Sequence, residues 1–469
     1  MSLLRHKITH VYTASHPRQA YLHNHLFYYR IMLFLTHWRR VFTPTSSLAL
    51  RLYHVTSPAS SVGQSVPKMA DKESLVGSFS PPVELLTPLR VPQKTLLGPG
   101  PSNASPRVLA ASALPLLGHL HPEFLQIMDD VKAGIQYAFQ TKNALTLAVS
   151  GTGHAAMEAA VVNMVEPGDV VLVAVHGLWG ERCADMCSRN GAEVRTINKP
   201  IGQNFTLEDI QKGIEYHKPC MFFICHGESS AGVLQPLDGI GDICRKHDCL
   251  LLVDSVASLG GTPLYMDHQG IDIVYSGAQK VLSAPPGASP ISFSARARGK
   301  LARRKQKVPS FYFDMNLLSD YWGVGLQKGQ PRKYHHTGPI SSVYALREGL
   351  AKLAEEGLEN CISRHQENAL LLHQGLEAMG LELWVKDKAA RLPTVTVVRV
   401  PEGVNWKDVA SYIMNKYSIE ISGGLGASAG KAWRIGLMGH NCTRDNVELV
   451  LRALKDALQH FGVRIQARL

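Results

Sequence analysis

The chain has 469 residues, 45% of them hydrophobic, and a formal charge of +11; that length suits two or three domains and a large core. The charge is uneven: residues 1–70 hold eight Lys or Arg and no Asp or Glu, leaving 41 basic against 38 acidic residues beyond them. A nearly balanced body argues against nucleic acid or another polyanion as a partner. No apolar run reads as a membrane span, since Leu26–Leu35 is short and carries Arg30.

Residues 1–71 read as a targeting leader. Their basic, acid-free composition through residue 68 fits a mitochondrial presequence; the alternative is a disordered leader with no address. Met69 offers a second start that deletes it. The C-terminal Ala467-Arg468-Leu469 is small–basic–leucine, the chemistry of a peroxisomal tail. Mitochondrion, peroxisome or both are therefore expected.

Residues 72–95 are Pro-containing and read as an N-terminal arm. A large domain is expected over 96–345. In it, apolar strand-like runs at Leu145–Val149, Val170–Val175, Ala192–Ile197, Met221–Cys225, Leu250–Val253 and Ile271–Tyr275 alternate with helical patterns. One of those helices has Thr206 as its cap and Asp209 three residues on. Short strands without polar alternation are buried on both faces, which predicts an α/β fold with a mostly parallel sheet. The ligand then belongs at the carboxyl edge of the strands. Residues 346–469 read as a smaller α+β domain: helices over Ser341–Glu356 (which begins before the boundary) and Glu359–Met379, an alternating strand over Thr394–Val400, and a closing helix near Arg444–Phe461. The eight cysteines form no CxxC pair and read as buried free thiols.

The chemistry centres on Lys280 in Tyr275-Ser-Gly-Ala-Gln-Lys280. A lysine among small neighbours after an apolar strand is placed to attack a carbonyl. Asp254 ends the preceding apolar run. An aspartate and a lysine that each follow a buried strand are what a pyridoxal phosphate site requires. Ser150-Gly-Thr-Gly-His154, between a strand and a helix, supplies amides and hydroxyls at a helix N-terminus, a seat for phosphate. The Gly-rich Gly423–Lys431 fails as a nucleotide loop, because Leu425 and Ala432 stand where Gly and Ser/Thr are needed. It reads as a flexible loop leading to Arg434, a candidate to bind a substrate carboxylate through paired hydrogen bonds; a structural ion pair is the alternative.

Six segments together resemble the class V aminotransferases: Gly98-Pro-Gly-Pro-Ser-Asn103, Ser150-Gly-Thr-Gly-His154, His226-Gly-Glu-Ser-Ser230, Val253-Asp-Ser-Val-Ala-Ser258, Tyr275–Lys280 and Tyr334-His-His-Thr337. The likeness runs from about residue 88 to the C-terminus. It implies a fold type I pyridoxal phosphate enzyme, a homodimer with active sites at the interface, that moves the amino group of alanine or serine to glyoxylate. By motif, Lys280 forms the Schiff base and Asp254 pairs with the pyridine nitrogen. Thr152, Gly153 and His154 hold the phosphate, and Trp179 stacks on the ring. Ser229 and Gln279 hydrogen-bond the cofactor. Tyr334 and Thr337 reach the phosphate bound by the partner subunit. Arg434 binds the substrate carboxylate, and Gly118 borders the substrate. The residues before Tyr334, 324–330, look slightly longer than usual for the family. The rivals are another class V enzyme such as a cysteine desulfurase, which needs a reactive cysteine on a loop, and a non-catalytic protein of the same fold.

Tagged proteins beginning at Met1 and at Met69 are expected to distribute differently in cells, the longer reaching mitochondria and the shorter peroxisomes. Identical distributions by microscopy would refute the two-address reading.

Overall fold

A computed structural model describes residues 80–327, 329–463 and 465; the leader and the C-terminal tripeptide lie outside them. The chain divides into two units, Met1–Pro88 and Leu89–Leu469. The described part of the first holds one 3-10 turn, Val83–Leu86. All the other elements belong to the second.

Seven strands form the main sheet: β1 (Leu145–Gly151), β2 (Val170–Val175), β3 (Glu193–Asn198), β4 (Met221–Cys225), β5 (Leu250–Asp254), β6 (Ile273–Tyr275) and β7 (Gly287–Phe293). Their spatial order is β1-β7-β6-β5-β4-β2-β3. Every pairing from β6 to β3 is parallel. In β4 and β5 every residue is buried, because helices cover both faces of a parallel sheet. The strands end together at Gly151, Val175, Cys225, Asp254 and Tyr275, so their carboxyl ends define one edge.

The structure departs from the expected strand set at β7. This strand runs antiparallel between β1 and β6, yet its sequence, Gly-Ala-Ser-Pro-Ile-Ser-Phe, has the small residues and proline of a loop. Side-chain hydrogen bonds reconcile it with burial: Ser292 Oγ lies 2.8 Å from Thr146 Oγ1, and Ser289 Oγ donates to the Gly151 carbonyl at 2.9 Å. Buried hydroxyls with partners are tolerated in a sheet interior.

A second hydrophobic cluster forms around an antiparallel sheet of β8 (Val395–Arg399), β9 (Ser422–Gly423) and β10 (Ala432–Gly436), with β10 in the middle. The helices Ile340–Glu356 and Leu358–Ala378 meet at Gly357, whose φ of +85° suits a residue without a Cβ. The second of these crosses between the clusters: Leu358, Cys361 and Ile362 pack in the first, Leu372 and Leu376 in the second.

The segment Thr95–Asn103 is held between the two sheets. Thr95–Leu96 pairs in parallel with Ile419–Glu420. The Gly436 N–H donates to the Leu97 carbonyl at 2.8 Å, and Ser102 Oγ donates to the Met438 carbonyl at 2.8 Å. The Ser102 N–H donates to the Gln279 carbonyl at 2.8 Å. This ties the Gly-Pro-Gly turn to the residue before Lys280. The Gly423–Lys431 stretch is not the flexible loop its glycines predict. It contains a 3-10 turn, Gly426–Ser428, in which buried Ser428 accepts from the Leu425 N–H at 3.0 Å.

The anticipated cap at Thr206 is present. The Asp209 N–H donates to Thr206 Oγ1 at 3.2 Å, and the Thr206 N–H donates to Asp209 Oδ2 at 2.8 Å. Thr206→Ala removes half of this reciprocal cap and is expected to cost about 1 kcal/mol. Denaturant unfolding would read the loss. Turnover is expected to stay unchanged, because no residue of the capped helix Leu207–His217 lines the cavity at the carboxyl edge of the main sheet.

Candidate active site

At the carboxyl edge of the sheet lies a cavity with about 520 Å³ of empty space. It is lined by Thr152, Gly153, His154, Trp179, Ser229, Asp254, Gln279 and Lys280, with Tyr275, Val256 and Met157 among the others. Eight residues singled out from sequence thus meet in one place.

Asp254 closes β5 and is buried. Its Oδ1 accepts from the Val256 N–H at 2.8 Å and its Oδ2 from Tyr275 Oη at 2.7 Å. Burial raises the carboxyl to about 6, while those two hydrogen bonds and the Lys280 charge pull the other way. A carboxylate in such a place gains from a cationic partner. Tyr275 was not anticipated as a site residue. The signal was available in that Tyr275 ends the run Ile271–Tyr275 as Asp254 ends its own, and the structure makes the two register partners on adjacent parallel strands.

Lys280, in the cavity wall, donates from its Nζ to the Pro99 carbonyl. Gly100 has a φ of +120°, and a Cβ there would overlap the lysine amine, so the turn must carry glycine. Burial, with the Arg434 charge adding to it and Asp254 opposing, lowers the amine to about 8. A lysine near 8 holds a useful neutral fraction close to physiological pH.

The helix Gly153–Met164 begins at the cavity wall. Its cap, Thr152, makes no capping bond with its side chain, and the N–H groups of Gly153 and His154 have no acceptor among the described residues. Free first-turn amides and a free hydroxyl form an anion seat. The His154 ring meets Trp179 edge-on at 5.5 Å, and burial lowers its pKa, with Arg182 adding to the effect. Trp179 Nε1 donates to Ser229 Oγ at 2.9 Å. Gln279 Oε1 is buried without a donor. An anion seat, a buried carboxylate, a poised amine, an aromatic wall and an unpaired acceptor together fit pyridoxal phosphate: Thr152, Gly153 and His154 for its phosphate, Asp254 for its ring nitrogen, Lys280 for its aldehyde.

Arg434 stands on β10 beside this cavity rather than in its wall. Its Nε donates to the Gly423 carbonyl at 2.8 Å, and its Nη1 lies 3.5 Å from the Ser229 carbonyl. Burial lowers its pKa, with Glu228 opposing. Three more anticipated residues lie outside the cavity wall. Gly118 donates its N–H to His121 Nδ1 at 3.1 Å. Tyr334 is 60% exposed, its ring 5.1 Å from that of His119, and Thr337 is exposed. In a single chain Tyr334 and Thr337 are exposed and neither lines the cavity.

A further group, not singled out from sequence, is Glu228, which is wholly buried. Burial raises its carboxyl to about 7, although hydrogen bonds from Ser230 and Trp179 oppose this.

Residues 108–450 match the family model for class V aminotransferases, and the chain belongs to that family. It is 57% identical over 392 residues to an alanine–glyoxylate aminotransferase of Callithrix jacchus, covering 84% of this chain and 93% of the relative. It is 36% identical over 402 residues to an (S)-ureidoglycine–glyoxylate transaminase of Bacillus subtilis strain 168, covering 82% of this chain and 94% of that one. Among solved structures, an alanine–glyoxylate aminotransferase from Nostoc sp. superposes with a TM-score of 0.77 at 51% identity, covering 79% of this chain and 97% of that chain. The chain is therefore a pyridoxal-phosphate-dependent aminotransferase.

Only the neutral Lys280 amine attacks an aldehyde. Cofactor-free protein is accordingly expected to capture pyridoxal phosphate at a rate that climbs with pH and levels off above about 8. Stopped-flow absorbance would measure this; a rate independent of pH between 6 and 9.5 would contradict a lowered amine.

Proposed function

We propose that this aminotransferase moves the amino group of alanine or serine to glyoxylate, yielding pyruvate or hydroxypyruvate and glycine, and so removes glyoxylate. The observation that carries this reading is Arg434. It is a buried guanidinium beside the cavity whose hydrogen bonds all go to backbone carbonyls, and it makes no salt bridge among the described residues. A guanidinium in that position is ready for the carboxylate that every amino acid and 2-oxo acid carries. No second cation lines the cavity besides Lys280, so a donor with a charged side chain gains nothing there. Two relatives of different names share glyoxylate as the acceptor and differ in the donor, which supports the acceptor more than the donor. A desulfurase reading is disfavoured because seven of the eight cysteines are buried and Cys220, the half-buried one, precedes β4 rather than sitting at the cavity.

When bound, pyridoxal phosphate supplies an electron sink for the carbanion that forms at the donor's α-carbon. The chain's residues do the rest. Arg434 grips the donor carboxylate and fixes the direction of the Cα–H bond. The Lys280 amine would take the proton from the donor's Cα and later give one up, acting as base and then acid. Asp254 would face the ring nitrogen as a carboxylate, its two oxygens held in place by the Val256 N–H and the Tyr275 hydroxyl. Glyoxylate uses the same arginine and the same lysine in reverse.

The reading includes a homodimer. Tyr334 and Thr337 are exposed, and Leu116, Phe311 and Tyr312 are exposed apolar side chains at 72%, 68% and 42%; a second copy would cover such a surface and bring those two polar groups to the neighbouring cofactor.

Purified protein is expected to be yellow and to release pyruvate from alanine plus glyoxylate. Absence of pyruvate with any small neutral donor would sink the substrate assignment. Arg434→Leu, which breaks a buried charge-assisted pair, is expected to lower kcat/KM for alanine by on the order of 10²–10³-fold.

A further inference from the structure

The helix Leu178–Arg189 starts with Gly177 at its cap, a residue with no side chain to satisfy the first amides. Two residues some fifty positions later do so instead. The Trp179 N–H donates to Glu228 Oε2 at 3.2 Å, and the Leu178 N–H donates to Ser230 Oγ at 3.0 Å. Glu228 Oε1 accepts in turn from the Ser230 N–H at 3.0 Å and from Ser230 Oγ at 2.5 Å. Glu228 itself is fully buried on the short hairpin formed by Gly227–Glu228 and Val233–Leu234. The carboxylate fits only because Gly177 lacks a Cβ, which would overlap it.

This cap bears on the cofactor site. Trp179 is the second residue of the capped helix, so the acceptor of its N–H helps set where the indole lies. The indole is also bonded to Ser229, the neighbour of Glu228, at 2.9 Å. One dipeptide therefore holds the backbone and the ring of the same tryptophan. We propose that Glu228 is a positioning residue for the transamination, capping the Leu178–Arg189 helix from across the fold and thereby holding the Trp179 indole against the cofactor ring. The inference rests on the reading that Trp179 stacks on that ring. A cap that served stability alone would need no link to the ring; the paired Ser229 contact is what ties it to the site.

Every group facing the two Glu228 oxygens in these bonds is a donor. Glu228→Gln keeps the shape but places an amide N–H₂ against one of them, either the Trp179 N–H or the Ser230 pair. Glu228→Asp keeps the charge but withdraws it by one methylene, and serves if the glutamine variant does not fold. The readouts are cofactor affinity, the visible circular dichroism of the bound cofactor and the quenching of tryptophan fluorescence when it binds. In the otherwise unchanged protein, Glu228→Gln is expected to weaken pyridoxal phosphate binding about tenfold, to shrink the dichroic band, and to lower kcat more than it raises KM. In a Trp179→Ala background the same change is expected to weaken binding less than twofold, since the residue through which it acts is gone. Thr206→Ala, a cap lost elsewhere, controls for stability and is expected to leave the band intact. Equal loss in both backgrounds, or an unchanged band in both Glu228 variants, would overturn the inference. If Trp179→Ala alone left affinity and band unchanged, the stacking reading beneath it would fall as well; pyruvate release by the unmodified protein judges the substrate reading separately.

Discussion

The site is organised around one uncomfortable charge. Asp254 ends a strand whose every residue is buried, and a carboxylate withdrawn from water there is costly unless something cationic faces it. Two hydrogen bonds, from the Val256 N–H and the Tyr275 hydroxyl, hold the group but leave it raised to about 6. A protonated pyridine nitrogen would complete it. The sheet makes this possible: parallel strands ending at one level place Asp254 and Tyr275 side by side, and the same edge carries the turn before Gly153 and the turn that leads to Lys280.

Lys280 is held from the opposite side. Its amine meets the Pro99 carbonyl, and the segment that carries Pro99 is stitched to the C-terminal sheet through Leu97 and Gly436 and to Gln279 through Ser102. A Cβ on Gly436 would overlap the Gly98 carbonyl, so the contact between the N-terminal segment and β10 has no room for a side chain. β10 also carries Arg434. Arg434 and the backbone that seats the lysine therefore share one anchor, and a shift of the C-terminal sheet would move both.

Much of this was legible in the chain. Unbroken apolar runs marked β2, β4 and β5, and a lone aspartate or lysine after such a run is conspicuous because charge is rare at a buried strand end. The Gly-Thr-Gly turn before an apolar helix was equally plain. What stayed hidden depended on partners distant in sequence. β7 looks like a loop because Pro290 and its serines suit one; its backbone pairing with β1 and β6 makes it a strand, and the hydroxyl contacts to β1 satisfy its buried serines. Gly423–Lys431 reads as loose from its glycines, yet buried Ser428 pins it. Tyr334 and Thr337 could be assigned only by resemblance, since both are exposed and neither lines the cavity. Glu228 passed unnoticed between a glycine and two serines, because besides the Ser230 hydroxyl its partners are backbone amides, which have no letter in the sequence.

Two neighbouring turns show the same physics put to opposite uses. The helices after β1 and β2 both begin without a capping bond from their own cap residue, Thr152 in one and Gly177 in the other. Each therefore exposes first-turn amides that call for a negative partner. At Leu178 and Trp179 the protein supplies it, through Ser230 and Glu228. At Gly153 and His154 it supplies none, and those amides line the cavity instead. An anion entering this edge thus finds one helix end already neutralised and the other open. The filled end carries Trp179 in its first turn, and the open end would take a phosphate, so which of the two helices the fold has left uncapped marks where an anion can bind.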